Sequence, residues 1–199
     1  APVVQVNDNT DALELWHGPT SAFKDMALQI LPLLLTKAIA KTGEQHKIVI
    51  LTATSGDTGK AALEGFADVD GTEIIVFYPE SGVSDIQKQQ MVTQAGKNVH
   101  VFAVKGNFDD AQTGVKQIFA NAGLNAEIAA QGCALSSANS INWGRLVPQI
   151  VYYFSAYSDA VAAGRIKAGD EINFAVPTGN FGDILAGYYA KMMGLPVHK

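Results

Sequence analysis

Strand-like runs alternate with helix-like segments through the middle of the chain. Residues 47–53 form a nearly continuous apolar run, which is typical of a parallel strand buried on both faces. The next segment, 57–66, carries alanine and leucine at helical spacing. The alternation continues with strand-like residues 73–78 and 99–104, and with helical residues 84–96 and 109–121. Residues 84–87, SDIQ, have the form of a capping box in which Ser84 and Gln87 start the first of these two helices. Three strand-helix units in succession predict an α/β fold, in which helices cover both faces of a parallel sheet.

After Gly123 the alternation becomes less regular. We predict an apolar helix at about 146–161, a strand at 172–176 and a helix at 184–193, which look like the beginning of a second lobe. Pro32 lies inside the first apolar helix, and we expect it to kink or restart that helix because proline has no N–H to donate.

Composition and charge exclude several classes of partner. The 199 residues are 48% hydrophobic, and their net charge of −5 leaves no cationic surface for nucleic acid or acidic lipid. No apolar run reaches the roughly 20 residues that cross a bilayer, and the single cysteine, Cys133, favours a reducing compartment. We therefore expect a cytoplasmic protein.

The four histidines show no metal-ligand spacing, so we expect no metal site. The chain starts without methionine and ends on a helix-end pattern, so we expect a piece of a longer protein.

One lysine stands at the head of an apolar helix. Lys24 follows the turn-forming segment 17–23, HGPTSAF. A lysine held away from water has its charged form disfavoured, and its neutral amine can attack an aldehyde and hold a cofactor as a Schiff base. An isolated lysine is more often a solvated surface charge. Two glycine-rich turns later in the chain favour the chemical interpretation.

The first glycine-rich turn, 52–59, follows a predicted strand and starts a predicted helix. Open α/β sheets bind anions there, because free N–H groups and the helix dipole point at the ligand. Hydroxyls of Thr54, Ser55 and Thr58 add donors that suit a carboxylate. The alternative is a tight turn capped by Asp57. Neither Gly-Lys-Ser/Thr nor Gly-x-Gly-x-x-Gly is present, which argues against a nucleotide or dinucleotide.

The second glycine-rich turn again lies between a predicted strand and a predicted helix. Two glycines three residues apart let the backbone approach a phosphate, which peptide N–H groups then hold. A phosphorylated aldehyde cofactor would need such a turn together with an amine. The residues of this turn are Gly179, Asn180, Phe181, Gly182 and Asp183.

A polar stretch interrupts the apolar region at 136–145. Asn142 and Arg145 are three residues apart, so they share one side of a helical turn, where an amide and a guanidinium can bind an anionic substrate group. The alternative is a helix-capping segment with a surface arginine.

Four motifs, in order along the chain, resemble the threonine synthase family, and most closely its bacterial and fungal branch. They are 17–25 (HGPTSAFKD), 54–59 (TSGDTG), 139–145 (NSINWGR) and 179–183 (GNFGD). The resemblance implies a two-lobed pyridoxal-phosphate enzyme of fold type II, similar to the β subunit of tryptophan synthase. It places 26–134 in a smaller α/β lobe, and 1–25 and 135–199 in a larger cofactor-binding lobe that is truncated at its C-terminus. The implied enzyme is a lyase of threonine biosynthesis that converts O-phospho-L-homoserine and water to L-threonine and phosphate.

The same resemblance assigns a role to each residue of these motifs. Lys24 would hold pyridoxal 5′-phosphate as a Schiff base and then move protons, and Asp57 would lie near the cofactor's 3′ oxygen. Residues 179–183 would bind the cofactor phosphate. The substrate carboxylate would meet Ser55, Gly56 and Thr58, and its phosphate would meet Asn142 and Arg145. The group facing the pyridine nitrogen is expected beyond Lys199.

Three alternatives stay open. One is another enzyme of the same fold, such as a serine or threonine dehydratase or a cysteine synthase, although a small uncharged side chain needs no Arg145. Another is an inactive ligand-binding fragment, against which the presence of Lys24 argues. The third is a phosphosugar- or nucleotide-binding protein without pyridoxal chemistry.

Overall fold

The computed structural model describes residues 1–177 and 179–199. An antiparallel hairpin comes first, with strands β1 (Val3–Asn7) and β2 (Thr10–Leu13), and helix α1 (Lys24–Thr42) follows it. A parallel sheet contains β3 (Lys47–Ala53), β4 (Thr72–Pro79), β5 (Val99–Val104) and β6 (Cys133–Ser137). The helices between these strands are α2 (Asp57–Phe66), α3 (Asp85–Val92), α4 (Phe108–Ala120) and α5 (Ala122–Ala130). The chain continues with α6 (Trp143–Ala162) and α7 (Gly182–Met192).

The strand order of the parallel sheet is β5-β4-β3-β6. The chain runs outward from β3 to β5 and then returns to the other side of β3. The carboxyl ends of β3 and β6 therefore meet at a point where the strand order reverses, and open α/β sheets bind ligands there. Asn139 joins the two strand ends, because its side chain donates to the Ala53 carbonyl (2.8 Å) and accepts from the Ala53 N–H (3.1 Å). Two of the sequence motifs thus lie side by side.

Helices cover both faces of this sheet, as the sequence predicts. On one face, β3 and β4 bury Ile50 and Val76 against α1, α2 and α3. On the other face, Leu51 and Ala53 pack against Ala111 and Val115 of α4. Because the central strands contact helices on both sides, they read as continuous apolar runs rather than alternating ones.

A second core lies outside the sheet, between α6 and α7. It contains Tyr152 and Tyr153 of α6 with Ala186 and Ala190 of α7, and hairpin residues such as Leu13 pack against it. Helix α1 connects the two cores, since it contacts both α2 and α6. In the described part of the chain, none of the helices has the length and apolar character that crossing a bilayer requires.

The structure differs from the sequence prediction at several places. Pro32 does not interrupt α1, which is one helix through Thr42. Pro32 has no N–H to donate to the carbonyl of Leu28. That carbonyl instead faces α2 so closely that a Cβ on Gly65 would overlap it. The predicted strand at 172–176 is reduced to a single bridge, between Ile172 and Val197.

Helix α5 and strand β6 were not predicted. Apolar residues occur all round α5 and none of them is buried, so no helical stripe marks it. Strand β6 runs to Ser137 and pairs with β3 along its length. The sheet therefore extends past 134, the expected boundary of the smaller lobe.

Candidate active site

Helices α1, α2 and α7 begin around one lysine. None of the three has a side-chain hydrogen bond from its N-cap residue, which is Phe23, Gly56 or Phe181. The other helices in the described part of the chain are capped in this way, α3 by a serine and α4, α5 and α6 by asparagines. A helix start that lacks a bond from its N-cap side chain can leave N–H groups for an anionic ligand, although at α2 the Thr54 hydroxyl takes the N–H of Gly59. These starts coincide with three of the four sequence motifs.

Lys24, the first residue of α1, is poorly solvated as predicted. Only 13% of its side chain is exposed, and its Nζ lies 3.8 Å from Oδ2 of Asp57 and 4.5 Å from the centre of the Phe23 ring. Burial lowers the pKa of Lys24, Asp57 opposes that shift, and Arg145 adds to it. Lys24 is therefore more readily neutral than a surface lysine.

The turn before Lys24 is built around a buried carboxylate. Asp25 is 1% exposed and accepts hydrogen bonds from the Thr20 hydroxyl (2.5 Å), the Thr20 N–H (2.8 Å) and the Ala22 N–H (3.4 Å). Gly18 packs on this carboxylate, and a Cβ there would lie 2.5 Å from Oδ2. Asp25 thus determines where α1 starts. The sequence offered one signal for it, an acidic residue in the first turn of a helix.

The loop after β3 is organised by Thr54, not by Asp57. The Thr54 hydroxyl accepts from the N–H groups of Gly56 (3.0 Å) and Gly59 (2.9 Å). Asp57 does not cap α2, so the capping alternative is wrong. Its carboxylate instead faces Lys24 through Oδ2 and accepts from Nε2 of Gln87 through Oδ1 (2.7 Å). Sequence reasoning identified Gln87 only as part of a helix cap.

Arg145 is a buried cation. It is 2% exposed, its Nη1 donates to the Ala138 carbonyl (2.8 Å), and its Nε has no hydrogen-bond partner among the described residues. Burial lowers the pKa of Arg145 to about 10. The surface-arginine alternative is therefore wrong. The site holds a desolvated positive charge close enough to act on the pKa of Lys24.

Asn142, by contrast, is occupied by structural bonds. It is the N-cap of α6: its Oδ1 accepts from the Gly144 N–H (2.8 Å), and its Nδ2 donates to the Ser137 carbonyl (2.7 Å). The helix-capping interpretation is right for this residue. Its amide holds the start of α6, and thereby Arg145, in place.

The second glycine-rich turn leads into α7. Gly179, Asn180 and Phe181 are exposed, whereas Gly182 is buried so closely that a Cβ there would lie 3.0 Å from the Ser140 hydroxyl. Apart from its chain neighbours, no described residue lies within 4 Å of a Cβ built on Gly179. The turn therefore borders the 139–145 motif and has open space at its first glycine.

Two tyrosines of α6, which the sequence did not single out, connect these segments. The Tyr153 hydroxyl donates to the carbonyl (2.8 Å) and to Oδ1 (3.1 Å) of Asp183, whose carboxyl pKa is raised by burial. The Tyr152 hydroxyl donates to the Phe23 carbonyl (2.7 Å), one residue before the lysine. Helix α6 thus holds the start of α1 and the start of α7.

These groups fit a phosphorylated aldehyde. A poorly solvated amine at Lys24, an uncapped helix start at α7 and an unmatched buried cation at Arg145 are what such a molecule and an anionic substrate require. No three His, Cys, Asp or Glu side chains gather as metal ligands within residues 1–177 and 179–199.

Comparisons with known proteins point to the same chemistry. A family model described as pyridoxal-phosphate dependent enzyme matches residues 13–197. Threonine synthase of Pseudomonas aeruginosa is 51% identical over 197 residues, which cover 99% of this chain and 39% of that protein. Human threonine synthase-like 1 is 45% identical over 205 residues, covering 100% of this chain and 27% of that protein. The crystal structure of pyridoxal-phosphate-bound threonine synthase from Brucella melitensis matches with a TM-score of 0.82 at 45% identity, covering 100% of this chain and 40% of that one. The chain thus spans about two fifths or less of the length of these relatives.

Proposed function

Because the chain belongs to the family of pyridoxal-phosphate dependent enzymes, we propose that it is the part of a threonine synthase that carries the reactive lysine. The reaction converts O-phospho-L-homoserine and water to L-threonine and phosphate. One observation carries this choice of substrate: Arg145 is buried near Lys24, and its Nε has no hydrogen-bond partner among the described residues. A phosphate on the substrate supplies that partner and neutralises the guanidinium. The similarity to threonine synthases supports the same assignment.

Three segments are proposed to hold the cofactor. Lys24 provides the amine, residues 179–183 bind the phosphate at the start of α7, and Asp57 lies at the 3′ oxygen. When bound, pyridoxal phosphate withdraws electrons from the substrate, so that protons leave its carbon atoms more easily. Lys24 then takes and returns a proton at the substrate α-carbon, a role that its poor solvation supports.

The substrate is proposed to bind by its two anionic ends. Ser55, Gly56 and Thr58 receive the carboxylate at the start of α2, where the hydroxyls of Ser55 and Thr58 are the donors, because the Gly56 and Gly59 N–H groups already donate to Thr54. The phosphate meets the guanidinium of Arg145. Asn142 belongs to this end of the site, where its amide orients the start of α6 rather than offering a free donor. Serine dehydratases and cysteine synthases act on side chains that need no such cation.

The rest of the larger lobe completes the site in this proposal. Residues 26–137 form the smaller lobe, with the boundary moved to the end of β6, and the remaining residues join the larger one. The group that faces the pyridine nitrogen belongs to the part of the relatives that this chain does not cover. The reaction takes place in the cytoplasm, which the single cysteine supports.

The test is an assay of the full-length protein with pyridoxal phosphate and O-phospho-L-homoserine. We expect release of phosphate and formation of threonine in equal amounts. Lys24→Ala abolishes both, while Lys37→Ala, an exposed lysine on the same helix, leaves them unchanged. Turnover of serine, threonine or O-acetylserine in place of phosphohomoserine contradicts the proposal and identifies one of the other enzymes of this fold.

A further inference from the structure

A hydrogen bond connects helix α3 to the candidate site. Gln87 lies in the first turn of α3, and its Nε2 donates to Oδ1 of Asp57 (2.7 Å), which is 30 residues earlier in the chain. The other oxygen of the same carboxylate, Oδ2, lies 3.8 Å from Nζ of Lys24. Asp57 therefore stands between Gln87 and the proposed reactive amine.

The orientation of the Gln87 amide is determined by its other contacts. Its Oε1 accepts from the Ser84 N–H (3.3 Å) and the Ser84 hydroxyl (3.2 Å), which completes the cap of α3. With Oε1 occupied in this way, the NH₂ group is left to donate to Asp57. If the amide were turned the other way, Oε1 of Gln87 would face Oδ1 of Asp57 and the two hydrogen bonds from Ser84 would be lost.

Close packing keeps this amide against the carboxylate loop. A Cβ on Gly56 would overlap Nε2 of Gln87, so any larger residue at position 56 would push the amide away from Asp57. The contact thus accounts for a glycine in the loop that the sequence had assigned only to ligand binding.

Asp57 needs a fixed partner because it is 51% exposed. A carboxylate exposed to this extent gains little from an ion pair alone and can turn toward water. Yet burial lowers the pKa of Lys24, and the charge of Asp57 is the largest influence that raises it, ahead of Asp183 and Asp25. Arg145 lowers the same pKa. The position of the Asp57 carboxylate therefore affects how readily Lys24 loses its proton.

We propose that Gln87 is a positioning residue, which holds the Asp57 carboxylate beside Lys24 and thereby affects how readily the reactive amine loses its proton. The proposal rests on the proposed function only in naming Lys24 as the reactive lysine. Its effect is measurable without turnover, on the full-length protein free of cofactor.

The experiment compares how fast Lys24 is acetylated in Gln87→Ala and in the unmodified protein. Trace labelling with acetic anhydride from pH 6 to 10, followed by mass spectrometry, gives the rate for Lys24 relative to exposed Lys37 in the same molecule. An opposite charge at about 4 Å in a water-like environment changes the neutral fraction by about fivefold. We expect Gln87→Ala to raise the relative labelling of Lys24 by about that factor on the acidic side of its titration.

Two further variants separate positioning from helix stability. Ser84→Ala removes the hydroxyl that caps α3 and that donates to Oε1 of Gln87, but the Ser84 N–H still donates to Oε1 and keeps Nε2 toward Asp57, so we expect its labelling profile to match the unmodified protein. In an Asp57→Asn background, Gln87→Ala should add no further change.

Each other outcome overturns the proposal. An unchanged or slower rate in Gln87→Ala shows that Asp57 keeps its place alone. An equal change of the labelling rate in Ser84→Ala assigns the effect to the placement of α3. If Gln87→Ala still changes the rate in the Asp57→Asn background, Gln87 does not act through Asp57. Absence of phosphohomoserine turnover in the unmodified enzyme contradicts the proposed function instead, and leaves the labelling comparison to decide the role of Gln87.

Discussion

Replacing Arg145 with methionine should leave the apo-protein at least as stable as before and strongly lower its proposed activity. Arg145 is 2% exposed, and burial lowers its pKa to about 10, well below that of an exposed arginine. That change corresponds to about 3 kcal/mol of penalty for keeping the charged form in the folded state. The guanidinium is protonated in both folded and unfolded chains at pH 7, so the penalty applies there in full. Because the folded-state pKa is the lower one, the penalty declines only as the pH rises through about 10.

The substitution also has a cost. The Ala138 carbonyl loses the hydrogen bond from Nη1, and a buried acceptor left unsatisfied costs about 1–3 kcal/mol. Methionine has an unbranched side chain that can occupy the space of the arginine stem. The two contributions leave the free energy of unfolding of Arg145→Met between unchanged and about 2 kcal/mol higher.

Urea denaturation of the full-length apo-protein at pH 7 measures this difference. Phosphohomoserine turnover of the same variant with saturating pyridoxal phosphate measures the lost anion contact, which we expect to lower kcat/KM at least tenfold, since truncating a buried charge partner costs about 2–5 kcal/mol. Arg165→Met is the matched control, because Arg165 pairs with Asp11 of the hairpin (3.1 Å) and has no role in the proposed binding of substrate. A loss of more than about 2 kcal/mol in Arg145→Met, with kcat/KM retained, refutes the reasoning and makes Arg145 a structural residue.

Three further perturbations test other parts of the structure. Asp25→Asn should lower the free energy of unfolding by about 1–3 kcal/mol in urea, because the donors of the turn before α1 lose a charged acceptor; unchanged stability contradicts this. Lys24→Met should raise apo-protein stability at pH 7, and the gain should shrink as the pH rises through the lowered pKa of Lys24; a gain independent of pH would mean that desolvation of the charge is not its cause. Gly187→Ala places a Cβ 2.7 Å from the Tyr153 ring and should cost about 1–3 kcal/mol, whereas Gly114→Ala, with nothing within 4 Å, should stabilise α4 by about 0.5–1 kcal/mol; equal thermal shifts in the two variants would contradict the packing argument.

Local patterns predicted the regular elements where the signal was itself local. The strands at 47–53 and 99–104 and the helix at 57–66 have the bounds that the sequence predicts. These predictions succeed because apolar runs and helical spacing reflect burial by neighbouring layers. The cap at Ser84 is present as predicted. Helix α5 escaped detection because it buries no stripe, and the 172–176 segment did not become a strand because a strand needs a partner along its length.

The candidate site was predictable residue by residue but not contact by contact. The motifs identified Lys24 and Arg145, and the roles assigned to them and to residues 179–183 stay predictions. The motifs did not indicate that Gln87 binds Asp57, since that contact joins residues 30 positions apart. They also left open whether Asn142 was a ligand or a cap, which its two structural bonds decide.

By itself, the sequence determined that a lysine begins an apolar helix and that glycine-rich turns follow strands, because turn residues and helical spacing act over a few positions. Only the tertiary structure decided how much water reaches each charge. Lys24 is desolvated beside Asp57, and Arg145 is enclosed with no partner for its Nε among the described residues, because distant segments pack over them. Desolvation depends on everything that surrounds a group in space, and neighbours in the sequence supply only a small part of those surroundings.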